Sequence, residues 1–230
     1  MQNLTKISII NFIRDRGKYF GIIGIPATLI SVIVAFFLYI SVNPTFNMVS
    51  NCVSDLGTGP NMSNVVYSIG SIITGFCQVP FYLSLVKYLQ NQKANTYLFK
   101  ITKFTFLISA LGLIVLGIIP FERETLVFFL GHGSAAATHY VAGSFAFILC
   151  GLIEIFILRL SKILAVISFL TGTLYALQWI GFLIDFIFKI PQLHVNYTLQ
   201  WINLAGILLW SLLHTIFLFN TKKFNNDSFI

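Results

Sequence analysis

Charged side chains are scarce in this sequence of 230 residues, because Asp, Glu, Lys and Arg together make up only 9%. A soluble domain needs about a quarter of its residues charged to cover its surface. The scarcity therefore excludes an ordinary soluble domain, and the mean hydropathy of +0.87 indicates a surface that faces lipid. At about 20 to 25 residues per span, a single bundle of six or seven helices would use nearly the whole chain.

Cysteine is scarce as well, and the three that occur are an odd number. Cys77 and Cys150 fall inside apolar segments, whereas Cys52 lies in a polar loop. This pattern predicts neither a disulfide framework nor a CxxC metal site. The cysteines are interpreted as small apolar fillers, and no cofactor is predicted.

Acidic residues are fewer than basic ones, which gives a net charge of +7. In membrane proteins basic side chains record topology and contact lipid headgroups. We therefore expect membrane lipids as partners and no nucleic acid. A membrane-protein partner or a second copy of the chain is left open.

Apolar runs predict an all-α fold, an integral membrane bundle of six transmembrane helices. Residues 1–18 form a basic cytosolic segment with the pattern of a short amphipathic helix lying on the membrane surface. Residues 19–219 form one transmembrane domain, and 220–230 a cytosolic tail. The apolar, glycine-containing stretch 125–137 is compatible with a short re-entrant or interfacial helix before the fourth span, and the sequence leaves this assignment open. The predicted spans are 19–40, 62–89, 101–119, 138–158, 163–188 and 197–219.

Basic side chains are distributed very unevenly between the two sides of these spans. With the N-terminus in the cytosol, twelve Lys and Arg fall on the cytosolic side, and only Arg123 and Lys189 fall on the other. Short loops follow the positive-inside rule, so both termini are predicted to be cytosolic in a protein of the cell membrane. The loop 41–61, the Glu122–His132 region and the loop at His194 are then extracytoplasmic.

Small and polar residues recur at helical spacing on the second, fourth, fifth and sixth spans. Since polar groups facing lipid are costly, we expect these stripes to face one another, with the first span more peripheral. Packing accounts for most Ser, Thr and Gly positions. The stripes are Asn64, Ser68, Ser71, Gly75, Gln78 and Tyr82; His139, Gly143, Ala146, Cys150 and Glu154; Ser168, Thr171, Tyr175, Gln178 and Asp185; and Gln200, Asn203, Ile207, Trp210 and His214.

Two ionisable residues on these stripes, Glu154 and His214, lie at matching depth near the cytosolic side. An ionisable residue at that depth is a functional candidate by default. The pair is predicted to be an intramembrane polar site, which would suit a small transporter or a proton-coupled protein. Glu154 also lies close to the basic residues Arg159 and Lys162, and snorkelling toward them is the other interpretation.

A second candidate site lies at the extracytoplasmic end, where Asn51, Ser54, Asp55 and His139 are the candidate ligand-binding residues. His139 and Asp55 are also the candidates for general acid–base catalysis on a lipid headgroup. The competing interpretation makes Asp55 a helix cap or turn residue, followed by the turn-forming Gly57-Thr58-Gly59-Pro60.

Histidine and carboxylate are ligand types of zinc sites, and three of the four histidines fall on this side. His132, His139 and His194 are therefore weak metal candidates. The spacing contains neither HExxH nor HxxxH, so no metal site is predicted.

The loop Asn51-Cys52-Val53-Ser54-Asp55-Leu56-Gly57-Thr58-Gly59-Pro60 resembles the N-x-x-S-D-L-G-x-G-P signature of the six-span membrane family known as domain of unknown function 998. Further matches follow in order along the chain, whereas the family's Glu-Arg before the last span has no counterpart. The family is distantly similar to eukaryotic membrane proteins linked to autophagy and lipid-anchor remodelling, which implies a lipid-related role. The further matches are Gly117-Ile118-Ile119-Pro120, His139 with Ala142 and Phe145, and Leu208-Leu209-Trp210.

These observations favour a membrane protein without enzymatic activity that binds lipid or a partner at the extracytoplasmic end of the bundle. An outer-leaflet lipid hydrolase or transferase that uses His139 and Asp55 is the first alternative. A transporter that uses Glu154 and His214 is the second.

Overall fold

The computed structural model describes residues 2–91, 96–120, 126–157, 161–188 and 194–227. Its six long helices each contain an apolar stretch of 22 to 28 residues, which is long enough to cross a bilayer. The predicted all-α bundle of six helices is therefore confirmed. The helices are α1 Gln2–Ile40, α2 Ser63–Asn91, α3 Thr96–Ile118, α4 Leu126–Leu152, α5 Lys162–Phe188 and α6 His194–Asp227.

The helices form a closed ring. Each helix packs against its neighbours along the chain, and α1 also packs against α6. The connection between α1 and α2 lies at one end of the ring and contains the short 3-10 helix η1, Val53–Thr58. We refer to this end, where α3 also finishes and α4 and α6 begin, as the loop end.

Small residues let α1 and α2 approach each other closely. The hydroxyl groups of Thr28 and Thr74 form a hydrogen bond between the two helices, with their oxygen atoms 2.8 Å apart. A Cβ added at Gly70 would lie 2.0 Å from the Ser31 hydroxyl, so only glycine fits at this crossing. Such contacts are typical of helix packing in membranes, where close approach replaces a hydrophobic driving force.

Large aromatic side chains fill the centre of the ring. The Tyr82 and Phe106 rings stack with centroids 4.3 Å apart. Trp210 is completely buried, and it contacts both rings together with Phe81 and Phe147. Buried aromatic contacts of this kind are worth roughly 0.5–1.5 kcal/mol each beyond their area. This central layer divides the interior into two parts.

Apolar side chains point outward along every helix, as a lipid-facing surface requires. Phe37, Phe76 and Phe104 are each more than 60% exposed. In its most apolar stretch the first span is 22% buried, the smallest share of the six, and its peripheral position stays a prediction because α1 also lines the interior of the ring. The polar stripes turn inward except near the start of α2, where Asn64 is exposed.

Several boundaries differ from the prediction; α3 begins at Thr96, and α6 continues through Asp227 into the predicted tail. Helix α1 runs without a break through residue 18, so the basic segment and the first span form one helix; its position relative to the membrane surface stays a prediction. The separate helix considered for 125–137 is wrong over 126–137, because these residues form the first turns of α4. Gly131 and Gly133 do not interrupt this helix. Gly131 lies close to the side chain of Ile119, the residue that follows α3.

Candidate functional site

Asp55 holds the turn that begins η1. Its carboxylate oxygen Oδ2 accepts a hydrogen bond of 2.8 Å from the backbone N–H of Cys52. Leu56 then inserts its side chain completely into the core, and its carbonyl accepts a bond from the Ser63 hydroxyl. Asp55 is thus placed to cap the turn, as one of the two interpretations of the sequence expects.

Helix α6 anchors this loop. The indole N–H of Trp201 donates to the backbone oxygen of Asn51 at 2.9 Å. Ser54 directs its backbone N–H and its hydroxyl toward Gln200 Oε1, both at 3.5 Å. The side chain of Asn51 meanwhile accepts from the backbone N–H of Asn47, within the loop. The candidates Asn51, Ser54 and Asp55 therefore share one end of the bundle, and the first two meet α6.

His139 is buried in the middle of three helices. Its Nδ1 lies 2.9 Å from the carbonyl oxygen of Ser109, which can only accept, so Nδ1 carries the proton. Nε2 is then the acceptor for the Tyr175 hydroxyl at 3.2 Å. The Ser109 hydroxyl donates in turn to the His139 carbonyl oxygen. Both ring nitrogens of His139 are therefore engaged in joining α3, α4 and α5.

The two catalytic candidates do not form a hydrogen-bonded pair. Asp55 bonds to its own turn, whereas the partners of His139 are Ser109 and Tyr175. A general base oriented by a carboxylate, as in a Ser–His–Asp arrangement, is thus not built from these residues. A role for either residue in catalysis stays a prediction.

The weak metal candidates either make hydrogen bonds within the protein or have side chains that the structure does not describe. His132 directs Nδ1 to the carbonyl oxygen of Ile119 at 2.8 Å, where α3 has ended. Within the part of the chain that the structure describes, neither His132 nor His139 belongs to a group of three metal-ligating side chains. The side chain of His194 and the residues Glu122 and Glu124 lie outside that part.

A cavity of about 670 Å³ runs inside the ring from the loop end to Gly21 on α1 and Ser211 on α6, and it borders the aromatic layer at Phe81. It extends along α1 from Val32 to Phe20, which is about 18 Å at 1.5 Å per residue. Gly133 and Ser134 line it and are exposed, so it opens beside the first turns of α4. Its polar lining comprises Thr28, Ser31, Ser54, Tyr67, Ser71, Thr74, Gln78, His132, Ser134, His139, Tyr140, Tyr175, Asp185, Asn196, Gln200, Asn203 and Ser211.

Three buried oxygen atoms on this lining have no hydrogen-bond partner among the described residues: Gln78 Oε1, Asp185 Oδ1 and Asn203 Oδ1. All three are acceptors. The other carboxylate oxygen of Asp185 accepts from the Asn196 side-chain amide. Lys189, four residues after Asp185, lies outside the described residues. Burying an acceptor without a donor costs about 1–3 kcal/mol. Because these oxygen atoms have almost no accessible surface, a molecule in the cavity would donate to them only after their side chains turn toward it.

The structure does bring Glu154 and His214 together. His214 Nε2 lies 2.6 Å from Glu154 Oε1, and both side chains are completely buried. Neither residue lines the cavity, because Trp210 and the aromatic layer lie between. A role for this pair in transport stays a prediction.

The sequence indicates the candidate residues themselves, but it does not indicate their hydrogen-bond partners. Tyr175 on α5 lies on one of the predicted polar stripes, but neither its spacing nor that of Ser109 on α3 points to His139. The π-helical turn Ile153–Ile157 that carries Glu154 was not anticipated either. No family model, no curated protein and no solved structure matches this chain.

Proposed function

We propose that this protein binds an elongated amphiphilic molecule, such as a membrane lipid, inside the cavity at the loop end. The observation that carries the proposal is the cavity with its polar lining, in which three residues each keep a buried acceptor that has no partner among the described residues. In a chain otherwise surrounded by lipid, polar groups that face a cavity rather than one another are expected to serve a ligand.

The cavity has the size and character of a small-molecule site. Its volume of about 670 Å³ lies within the range of roughly 300–1,000 Å³ that ligand pockets occupy. Apolar side chains such as Phe20, Phe81 and Ile207 line its deep part. An acyl or isoprenoid chain that leaves the bilayer for this part of the cavity would keep its apolar surface away from water.

The unpartnered acceptors indicate the chemistry of the polar part. Asp185 lies at the loop end, and Asn203 lies about 10 Å further along α6 from Asn196. Gln78 lies deeper still, about 22 Å along α2 from Ser63. Hydroxyl, amide or ammonium donors at more than one position would satisfy them, and the carboxylate of Asp185 favours a group that carries positive charge.

The distribution of basic residues and the resemblance of the Asn51–Pro60 loop to a six-span family both support an extracytoplasmic loop end. The ligand would then come from the outer leaflet of the cell membrane. This assignment is tested separately, by labelling a single cysteine introduced at Ser50, an exposed loop residue, in intact cells. Labelling only after the membrane is permeabilised would contradict it.

The test of the proposed function is native mass spectrometry of the detergent-purified protein, with lipid analysis of the same sample. We expect one amphiphile to remain bound per chain. Gln78→Leu removes one unpartnered acceptor at nearly constant volume and should lower occupancy, while Gln90→Leu, an exposed position on the same helix, should retain it. The absence of a stoichiometric amphiphile in the wild type, or equal occupancy in both variants, would overturn the proposal.

A further inference from the structure

On the other side of the aromatic layer, three potential metal ligands converge. Cys150 lies in the last turns of α4, Glu154 in the π-helical turn that follows it, and His214 on α6. One ligand atom from each side chain lies within 4.8 Å of the other two, and all three residues are completely buried. π-helical turns are frequently found at functional sites. The cluster is separate from the cavity of the proposed function and does not depend on it.

The hydrogen bonds define what must lie between two of these ligands. His214 Nδ1 lies 2.8 Å from the carbonyl oxygen of Trp210, and a carbonyl can only accept, so Nδ1 carries a proton. Nε2 faces Glu154 Oε1 at 2.6 Å. The lone pairs of a neutral imidazole and a carboxylate repel one another at this distance, so a cation must lie between them. A proton fulfils that requirement at 2.6 Å, and a metal ion would fulfil it once the two atoms move apart.

A second layer of contacts holds the ligands in place. The Trp210 indole N–H donates to the Ser168 hydroxyl at 2.8 Å, and Ser168 donates to Glu154 Oε2 at the same distance. The Cys150 thiol lies 3.5 Å from Glu154 Oε1. In metal sites, the ligating histidine usually donates its second N–H to a carbonyl or carboxylate, and ligating carboxylates are hydrogen-bonded in turn. Both features are present here.

We propose that Cys150, Glu154 and His214 bind one divalent cation of the zinc class. A thiolate and an imidazole favour zinc-like ions over magnesium or calcium. Two anionic ligands and a neutral imidazole around a divalent cation give a site with no net charge, which suits a dry interior within the membrane. Binding displaces the thiol proton of Cys150 and the proton shared by Glu154 and His214, so two protons leave for each ion bound.

The ion replaces the shared proton and moves the two ligands apart. At zinc bond lengths of about 2.0 Å, two tetrahedrally arranged ligand atoms lie roughly 3.3 Å apart. The contact between Glu154 and His214 must therefore widen by about 0.7 Å, a change within reach of side-chain rotation in the π-helical turn.

The proposal is tested with protein produced in cells supplied with cobalt, since the buried cluster has no open face for later loading. We expect about one cobalt ion per chain by elemental analysis and a thiolate-to-cobalt charge-transfer absorption. Cys150→Ser should abolish that absorption, and His214→Gln should lower the cobalt content at least about 10-fold. The matched control is Cys77→Ser, another buried cysteine, which should leave both signals unchanged.

Size-exclusion profiles confirm which variants fold, and Cys150→Ser is the conservative change should His214→Gln fail to do so. A sub-stoichiometric cobalt content in the folded wild type would overturn the proposal and leave a pair that holds a proton only. Cobalt bound without the charge-transfer absorption, or an absorption that survives Cys150→Ser, would also overturn it, because the thiolate would not be a ligand.

Discussion

Trp210 stacks its indole ring on the imidazole of His214, with ring centroids 4.1 Å apart and an angle of 26° between the planes. The same indole meets Phe147 edge-on at 4.8 Å, and its N–H donates to Ser168. One side chain thus separates the cavity from the Cys150 cluster and also orients two members of the network around that cluster.

Replacing Trp210 should therefore have two separable effects. Trp210→Phe keeps an aromatic ring but removes the donor to Ser168, and we expect a loss of about 1 kcal/mol in stability. Trp210→Ala also empties the central layer, with an expected loss of about 3–5 kcal/mol. Thermal unfolding in detergent measures both, with Leu209→Ala, a half-exposed neighbour, as control. Equal effects of the two substitutions would contradict the role of the ring as a partition.

Glu154 and His214 should behave as one unit. Breaking a buried pair by removing one partner typically costs about 3–5 kcal/mol, because the other is left uncompensated. We expect Glu154→Gln and His214→Gln each to be strongly destabilising, and the double variant to lose less than the sum by at least about 1 kcal/mol. Unfolding transitions of the four proteins give this coupling energy.

The control for this cycle pairs Glu154→Gln with His132→Gln. His132 lies 22 residues earlier in the sequence, roughly 33 Å away along a helix. These two changes should be additive, since distant sites without shared partners couple little. Additivity in the first pair as well would show that the 2.6 Å contact contributes nothing to stability.

We expect Asp55 to stabilise the turn through the hydrogen bond that its side chain accepts, rather than through its negative charge. Asp55→Ala removes the acceptor for the Cys52 N–H, and we expect about 1 kcal/mol of destabilisation together with faster proteolysis of the loop 41–62. Asp55→Asn keeps an acceptor oxygen and should lie close to the wild type in both measurements. A large effect of Asp55→Asn would instead indicate a function for the negative charge.

Two helical glycines should respond in opposite directions to the same change. A Cβ at Gly112 would lie 2.8 Å from the backbone nitrogen of His139, so Gly112→Ala must push α3 and α4 apart at a cost of about 1–3 kcal/mol. Gly133 has open space at the same position, and Gly133→Ala should stabilise its helix by up to about 1 kcal/mol. Melting temperatures of the two variants provide the comparison, and destabilisation of similar size would contradict the close approach.

Much of the fold could be read from hydropathy because lipid leaves few alternatives. A run of about 20 apolar residues must form a helix to satisfy its backbone, and its polar positions must turn inward. The same reasoning placed Glu154 and His214 at one depth, where the structure finds them in contact. Depth follows from counting residues, which the sequence supplies directly.

The partners of the other candidates could not be predicted in this way. Whether His139 meets Asp55 or Tyr175 depends on the rotation of each helix about its axis and on which helices are neighbours in the ring. Contacts such as the backbone approach at Gly112 decide that rotation. Counting residues gives the depth of a side chain in the bilayer, but it does not determine the direction in which that side chain points around the helix axis.

The contact between α1 and α6 has a consequence for biogenesis. Because the last helix completes the enclosure, the cavity does not exist while the first five helices leave the translocon. Until α6 arrives, an inward-facing group such as Gln78 would be open to acyl chains, and a lipid that enters then would be enclosed as the final helix docks. Ligand loading would thus be tied to the moment of synthesis.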